Sequence, residues 1–190
     1  MSSSGLIISA LALPAFGACL IALTRRSPNV REGITLITGA ALLFVVVQLF
    51  LAVSAGERPE ASLITVVQGI DIAFAVEPLG MLFALVASGL WIVNSIYSIG
   101  YMRGNDEPRQ TQFYVCFAIA IASTMGIAFS KNLFTLFLFY ELLTLSTYPL
   151  VTHKGDENAR RGGRIYLLIL LSTSMLLLLP AIIATWAISG

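Results

Sequence analysis

Residues 133–152 read LFTLFLFYELLTLSTYPLVT, an apolar run that is interrupted near its centre by Glu141. A helix of roughly 20 apolar residues crosses the hydrocarbon core of a bilayer, and this run has that length. Lipid offers no partners to backbone N–H and C=O groups, so a helix, which pairs them internally, is the expected structure. The stretch therefore predicts a transmembrane helix with one ionisable side chain inside the bilayer.

The rest of the chain has the same apolar character. Hydrophobic residues make up 57% of it, charged residues 11%, and the mean hydropathy is +0.89, whereas a soluble domain carries about 25% charged residues. We predict an all-α integral membrane fold of about six transmembrane helices, a single transmembrane domain over residues 1–190. Only Glu141 carries a charge away from the helix ends. The predicted helices cover residues 5–24, 33–54, 78–102, 111–130, 133–152 and 164–189.

The connection between the second and third predicted helices is long and lacks a membrane-spanning pattern. It holds two β-prone pieces, residues 62–67 and 70–76, which are separated by Gln68-Gly69. Short runs rich in Val, Ile and Phe on either side of a glycine-containing turn are typical of a β-hairpin. We expect a short extracytoplasmic β-hairpin here, with an irregular loop as the alternative.

The basic residues are concentrated in alternate loops. Only Arg58 and Lys131 lie in the loops after the second and fourth helices. Lysine and arginine collect in cytoplasmic loops, so we expect an extracytoplasmic N-terminus in the cytoplasmic (inner) membrane of a bacterium. The loops after the first, third and fifth helices hold Arg25, Arg26, Arg31, Arg103, Arg109, Lys154, Arg160, Arg161 and Arg164.

The residue types that build metal and cofactor sites are scarce. Cys19 and Cys116 lie in apolar runs, which is typical of packing residues, and His153 is the only histidine. We therefore expect no haem, iron–sulfur or zinc site, no other cofactor and no catalytic site. No basic patch extends beyond the short loops, so the expected partner is the lipid bilayer and not nucleic acid.

Glu141 is the first candidate for a functional residue. A carboxylate at the middle of a membrane helix costs about 2.5–3.5 kcal/mol on insertion scales, and such residues commonly serve a function. Burial disfavours the charged form of a carboxyl group, so Glu141 is expected to take up and release a proton. The alternative is an acid that only pairs with a basic residue of a neighbouring helix or subunit.

Hydroxyl side chains share a helix face with Glu141. Thr144, Tyr148 and Thr152 follow it at spacings of three, four and four residues, which places all of them on one side of the helix. They could hydrogen-bond the carboxyl group or hold a chain of water. The alternative is that they simply permit close helix packing in lipid.

Other polar residues allow two interpretations each. Ser88, Ser95 and Ser98 form a similar stripe on the third helix, which suits helix contacts or a water path. Arg164, at the start of the sixth helix, could extend to lipid headgroups. It could also reach inward and set the charge environment of Glu141.

The motifs around these residues resemble a known family. Residues 130–134 (SKNLF), 138–141 (LFYE) and 146–148 (STY) are similar to the fifth-helix signature of the antiporter-like subunits. These subunits occur in Mrp-type monovalent-cation/proton antiporters and in respiratory complex I. Residues 97–102 (YSIGYM) look like the family's ending of the third helix, and residues 76–83 (VEPLGMLF) like its entry. The chain resembles the N-terminal part of such a subunit, with the D-type Mrp subunit slightly preferred.

The resemblance implies roles for individual residues. Glu141 matches the glutamate of the family's proton-translocating glutamate–lysine pair. Arg164 falls where many members carry a lysine, and because arginine does not readily lose its proton, its implied role is to modulate. We therefore expect proton translocation to involve Glu141, Thr144, Tyr148 and Arg164.

The family's subunits are longer than this chain. Their later helices, with a central lysine, and their second inverted repeat have no counterpart in these residues. The resemblance thus implies other membrane subunits as partners, including a chain that supplies the lysine-bearing helices. Two explanations stay open: a split subunit or a truncated product.

The leading hypothesis is a subunit of a multisubunit Na⁺/proton antiporter, with protons and Na⁺ as the ions. One alternative is a proton-pumping subunit of a complex I or membrane-bound hydrogenase type complex, in which the chain would be part of an ion-translocating oxidoreductase. A non-conducting structural subunit is a second alternative. A stand-alone homo-oligomeric transporter or channel is a third.

Overall fold

The computed structural model describes residues 2–67 and 70–189. This part of the chain contains six helical spans that are long and apolar enough to cross a membrane. A two-stranded antiparallel hairpin lies between the second and third spans, so the predicted fold class is confirmed. The helices are α1 (Ser3–Leu23), α2 (Pro28–Ser54), α3 (Pro78–Gly104), α4 (Gln110–Ala128), α5 (Leu133–Val151), α6 (Glu157–Thr173) and α7 (Leu179–Ser189), and the strands are β1 (Glu60–Val67) and β2 (Ile70–Ala75).

Two spans begin earlier than the sequence suggests. The second begins at Pro28 and not at 33, and the sixth begins at Glu157 and not at 164. Proline suits the first position of a helix because its missing N–H would have no helical partner there. The Asp156 side chain caps α6 by accepting a hydrogen bond from the Ala159 N–H at 2.6 Å. Polar first turns therefore extend both helices beyond the apolar runs that mark the membrane.

The helices form a bundle around α1 and α4. Helix α1 packs on α2 and α4, and α4 also contacts α3 and α5. The sixth span, which α6 and α7 form together, packs mainly on α5. About 44% of the apolar window of α4 is buried, against 11% for the sixth span. The sixth span therefore lies at the edge of the bundle, with most of its surface facing outward.

The serine stripe of α3 is buried. Ser88, Ser95 and Ser98 are at most 5% exposed. The Ser88 and Ser98 hydroxyl groups donate to carbonyl oxygens of their own helix, at 3.1 and 2.7 Å. Because these hydroxyls are already paired within α3, the geometry favours helix packing over a water path.

The hairpin is fastened to the turn between α4 and α5. The Ala75 N–H donates to the Phe129 carbonyl at 2.8 Å, and the Lys131 N–H donates to the Ala73 carbonyl at 2.9 Å. The strands pair from Glu60 with Ala75 to Val67 with Ile70. The predicted turn, Gln68-Gly69, lies outside the described residues. These bonds make the hairpin part of the platform from which α5 starts.

Asn132 joins the hairpin to α5 directly. Its side-chain oxygen accepts from the Thr135 N–H at 2.7 Å, and its amide nitrogen donates to the Asp71 carbonyl at 2.7 Å. We expect Asn132→Ala to lower the free energy of unfolding by about 1–2 kcal/mol, because a helix cap and a bond to the hairpin are both lost. Asn132→Asp keeps the cap acceptor and should lose less. Thermal unfolding of both variants measures the difference. Equal losses of stability would contradict the view that Asn132 both caps α5 and binds the hairpin.

Candidate functional site

Glu141 lies near the middle of α5, and its carboxylate is buried. Both carboxylate oxygens are shielded, and among the described residues neither has a hydrogen-bond partner. No ion pair in this part of the chain involves Glu141. A buried ionised group without a partner is costly. The described part of the chain therefore offers the Glu141 carboxylate neither a counter-charge nor a hydrogen-bond donor.

The hydroxyl stripe beside Glu141 faces α6. Thr144 is 4% exposed. A Cβ atom added at Gly163 would lie 3.2 Å from the Tyr148 ring and would overlap the Thr152 methyl group. Gly163 thus lets α6 approach the Tyr148 end of the stripe closely. Glu141, Thr144 and Tyr148 share this face of α5, as the spacing predicts.

The close approach at Gly163 should be sensitive to one methyl group. We expect Gly163→Ala to destabilise the protein by about 1–3 kcal/mol, because the new Cβ overpacks the α5–α6 contact. Gly162 is a matched control, since a Cβ there meets nothing within 4 Å. Alanine also has the higher helix propensity, so Gly162→Ala should leave the melting temperature unchanged or raise it. A drop of the same size in both variants would contradict the close approach of α5 and α6 at Gly163.

Thr147 and Tyr166 form a polar pair that the sequence did not single out. Their hydroxyl oxygens are 3.0 Å apart, across α5 and α6. The Thr147 hydroxyl is also within 3.0 Å of the Leu143 and Thr144 carbonyls. One feature of the sequence could have indicated this pair. Tyr166 follows Gly163 by three residues, so both lie on the same face of α6.

The antiparallel register of α5 and α6 sets what Glu141 faces. Tyr148 meets Gly163 and Thr147 meets Tyr166, so the same register carries Glu141 toward residues 170–172. Just beyond these residues the sixth span leaves α-helical geometry and forms a π-helical turn over Ser174–Leu178. Helix α5 contacts this turn.

The π turn has an identifiable cause. Pro180 follows it closely, and a proline ring clashes with the carbonyl four residues earlier in a regular helix. The Leu179 N–H instead bonds to the Ser174 carbonyl, five residues back. Single π turns inside helices are frequent at functional sites. Here the irregular turn packs on α5, the helix that carries Glu141.

Arg164 is not beside Glu141. It is exposed and lines an open cavity of about 450 Å³ together with Glu157, Arg160 and Arg161. Its neighbour Gly163 is level with Tyr148, and the seven residues from Tyr148 to Glu141 span about 10 Å of helix. Within the described chain, Arg164 has no ion pair with Glu141.

The structure also contains a buried charged cluster that the sequence analysis placed in a loop. Arg31 and Glu32 are 4% and 5% exposed. The Glu32 carboxylate accepts from Arg31 at 3.3 Å and from Arg103 at 3.0 and 2.5 Å. Glu32 is thus a second buried acid besides Glu141. The early start of α2 brings both residues into the helix, and no pattern in the sequence marks the pairing of Glu32 with Arg103 of α3.

Further contacts tie this cluster to α4. Arg31 donates to the Thr111 hydroxyl at 3.1 Å and to the Gln110 side chain at 2.8 Å, and its guanidinium carbon lies 5.2 Å from the centre of the Tyr114 ring. The cluster therefore joins the ends of α2, α3 and α4.

Known sequences similar to this chain include antiporter and complex I subunits. Residues 64–114 match the family described as NADH-Ubiquinone oxidoreductase (complex I), chain 5 N-terminus. The chain is 30% identical over 115 residues, 60% of its length, to the Na(+)/H(+) antiporter subunit A1 of Staphylococcus aureus strains bovine RF122 / ET3-1 and JH9. It spans about 14% of the length of these curated relatives. Both are A-type subunits, and the preference for the D-type stays a prediction.

Two solved complexes contain chains of similar fold. One is the membrane-bound sulfane sulfur reductase, an archaeal respiratory membrane complex, with a TM-score of 0.74 and 20% identity over 90% of this chain and 26% of that chain. The other is the Mrp complex from Dietzia sp. DQ12-45-1b, with a TM-score of 0.63 and 22% identity over 90% of this chain and 19% of that one. At this level of identity the similarity establishes the fold.

Proposed function

We propose that this chain, which is similar to the Na(+)/H(+) antiporter subunit A1 and to the complex I chain 5 N-terminus family, is a subunit of a multisubunit monovalent-cation/proton antiporter. Its part in that function is to bind and release protons at Glu141. The transported ions in this proposal are protons and Na⁺. The relatives named above, a sodium/proton antiporter subunit and a chain of an Mrp complex, support this choice.

The observation that carries the proposal is the buried carboxylate of Glu141 without a partner in the described chain. A structural acid would be expected to sit in an ion pair or a set of hydrogen bonds, as Glu32 does. Among the described residues Glu141 has neither, so any partner of its carboxylate, such as water or a cation, would come from outside this part of the chain. Such a group suits a proton site in the bilayer.

The neighbouring residues are assigned supporting roles. Thr144 and Tyr148 share the face of α5 that carries Glu141, and we propose that they guide protons along the α5–α6 boundary. Arg164, at the basic end of the same boundary, would modulate this path through its charge and not by carrying protons. The cation that offsets ionised Glu141 would come from another subunit on the outward face of the sixth span.

A second candidate is a proton-pumping subunit of a redox-driven complex. The fold of a chain in the membrane-bound sulfane sulfur reductase favours it, as does the complex I family match. Both candidates require other membrane subunits. Both also place the chain in a bacterial cytoplasmic membrane with its N-terminus outside, as the distribution of arginines predicts.

The two candidates separate in one experiment. The tagged chain is isolated from its native membrane, its partners are identified, and everted vesicles are prepared from cells with and without it. An antiporter subunit should co-purify with other antiporter subunits and make Na⁺ dissipate a preformed pH gradient. A redox-driven subunit should instead co-purify with electron-transfer subunits and make NADH or another donor build the gradient. If neither proton movement depends on the chain, it is a non-conducting subunit and the proposal fails.

A further inference from the structure

A large open cavity lies at the end of the bundle where the α1–α2 and α3–α4 connections meet. Its volume is about 790 Å³. Its charged lining consists of Arg25, Arg31 and Arg109 against a single acid, Glu107. The Glu107 carboxylate already faces His153, at 3.8 Å from its Nε2. The cavity is therefore positively charged overall.

The start of α4 adds further donors to this cavity. Gln110 and Thr111, the first residues of α4, line it. Arg109 occupies the N-cap position with a left-handed backbone (φ 58°), and its own side chain does not cap the helix. The first N–H groups of a helix lack helical partners, and together with the helix dipole they attract anions.

Arg31 keeps one donor unused in this lining, while Glu32, Gln110 and Thr111 bind its terminal nitrogens. It is 4% exposed and lines the cavity, and its Nε is buried without a hydrogen-bond acceptor among the described residues. Arg25, across the cavity, has no hydrogen bond or ion pair within the described chain. Arginine guanidinium groups suit phosphate because their planar fork matches two of its oxygens. The site thus has more phosphate donors than the chain itself uses.

The remaining lining shows which phosphate would fit. Ala22, Pro28 and Val115 form an apolar part of the wall. An inorganic phosphate ion would gain nothing from this surface, whereas a phospholipid would place its glycerol and first acyl carbons there. The cavity also lies at the ends of membrane-spanning helices, at the depth of lipid headgroups. Basic pockets between transmembrane helices bind anionic headgroups in this way.

We propose that this cavity binds one anionic phospholipid, with its phosphate between Arg25, Arg31 and the start of α4. The lipid would bridge α1, α2 and α4 at the end of the bundle. The site is separate from Glu141, and it requires no assumption about which ions the protein moves.

Adjacent arginines provide a matched test. Arg25 lines the cavity, whereas its neighbour Arg26 is also exposed but is not part of the lining. The full chain, with any subunits that it retains, is purified and titrated with phosphatidylglycerol or phosphatidylcholine, and bound lipid is counted by native mass spectrometry. One basic residue near an anionic headgroup is worth about fivefold in affinity. We therefore expect Arg25→Gln to weaken phosphatidylglycerol binding about fivefold and Arg26→Gln to leave it within about twofold.

Three results would overturn the proposal. The first is equal retention of phosphatidylcholine and phosphatidylglycerol, which would show no headgroup selectivity. The second is an equal effect of the two arginine substitutions, which would indicate diffuse surface attraction and not a site. The third is displacement of phosphatidylglycerol by millimolar inorganic phosphate, which would assign the cavity to a soluble anion. The melting temperatures of both variants confirm that each is folded.

Discussion

Replacing Glu141 with glutamine is expected to abolish the proton movement that depends on this chain, reducing it to the level of vesicles without the chain. Glutamine has nearly the same size but cannot bind and release a proton. Proton transfer by a positioned group is commonly worth about a hundredfold or more in rate. Because neither carboxylate oxygen has a partner in the described chain, the amide should not lower the melting temperature. Fluorescence quenching of a pH-sensitive dye in everted vesicles measures the transport.

The control for this substitution is Glu77→Gln. Glu77 is an exposed residue just before α3, and its side chain makes no capping hydrogen bond, so the same chemical change there should leave transport unaffected. Blots of the isolated complex establish that both variants assemble. Normal proton movement with Glu141→Gln in an assembled complex would show that Glu141 has a structural role, and the proposed function would fail.

Replacing Glu32 with glutamine is expected to have the largest effect on stability, a loss of about 3–5 kcal/mol. Glu32 is the counter-ion of Arg31, whose side chain is only 4% exposed. Glutamine leaves that guanidinium buried without an opposite charge and removes an acceptor that also binds Arg103. We expect a much lower melting temperature in detergent, or failure to accumulate in the membrane.

Arg103→Gln breaks the other side of the same cluster and should cost far less. The Arg103 side chain is 46% exposed, so its charge is already partly hydrated in the folded protein. Its removal leaves Glu32 paired with Arg31 at 3.3 Å. Melting temperatures of the two variants, measured side by side, test the difference. Equal losses, or a larger loss for Arg103→Gln, would contradict the view that the buried charge of Arg31 sets the cost.

The site was predictable from the sequence only in part. The spacing of Glu141, Thr144 and Tyr148 defines one helix face, because 3.6 residues per turn is a local property of any helix. The sequence does not show which neighbouring helix this face meets. Gly163 on α6 decides it, through the close approach that its missing side chain permits. The distance of Arg164 from Glu141 follows from the same packing.

The apolar runs by themselves determined the six membrane spans and the hairpin between the second and third, because solvation by lipid and backbone pairing act on short, continuous stretches of chain. They also predict that Glu141 lies inside the bilayer region. Only the tertiary structure decided that the Glu141 carboxylate has no partner among the described residues while Glu32 is paired. The Glu32–Arg103 contact joins residues 71 positions apart, and such a pairing depends on how whole helices pack, which no local pattern records.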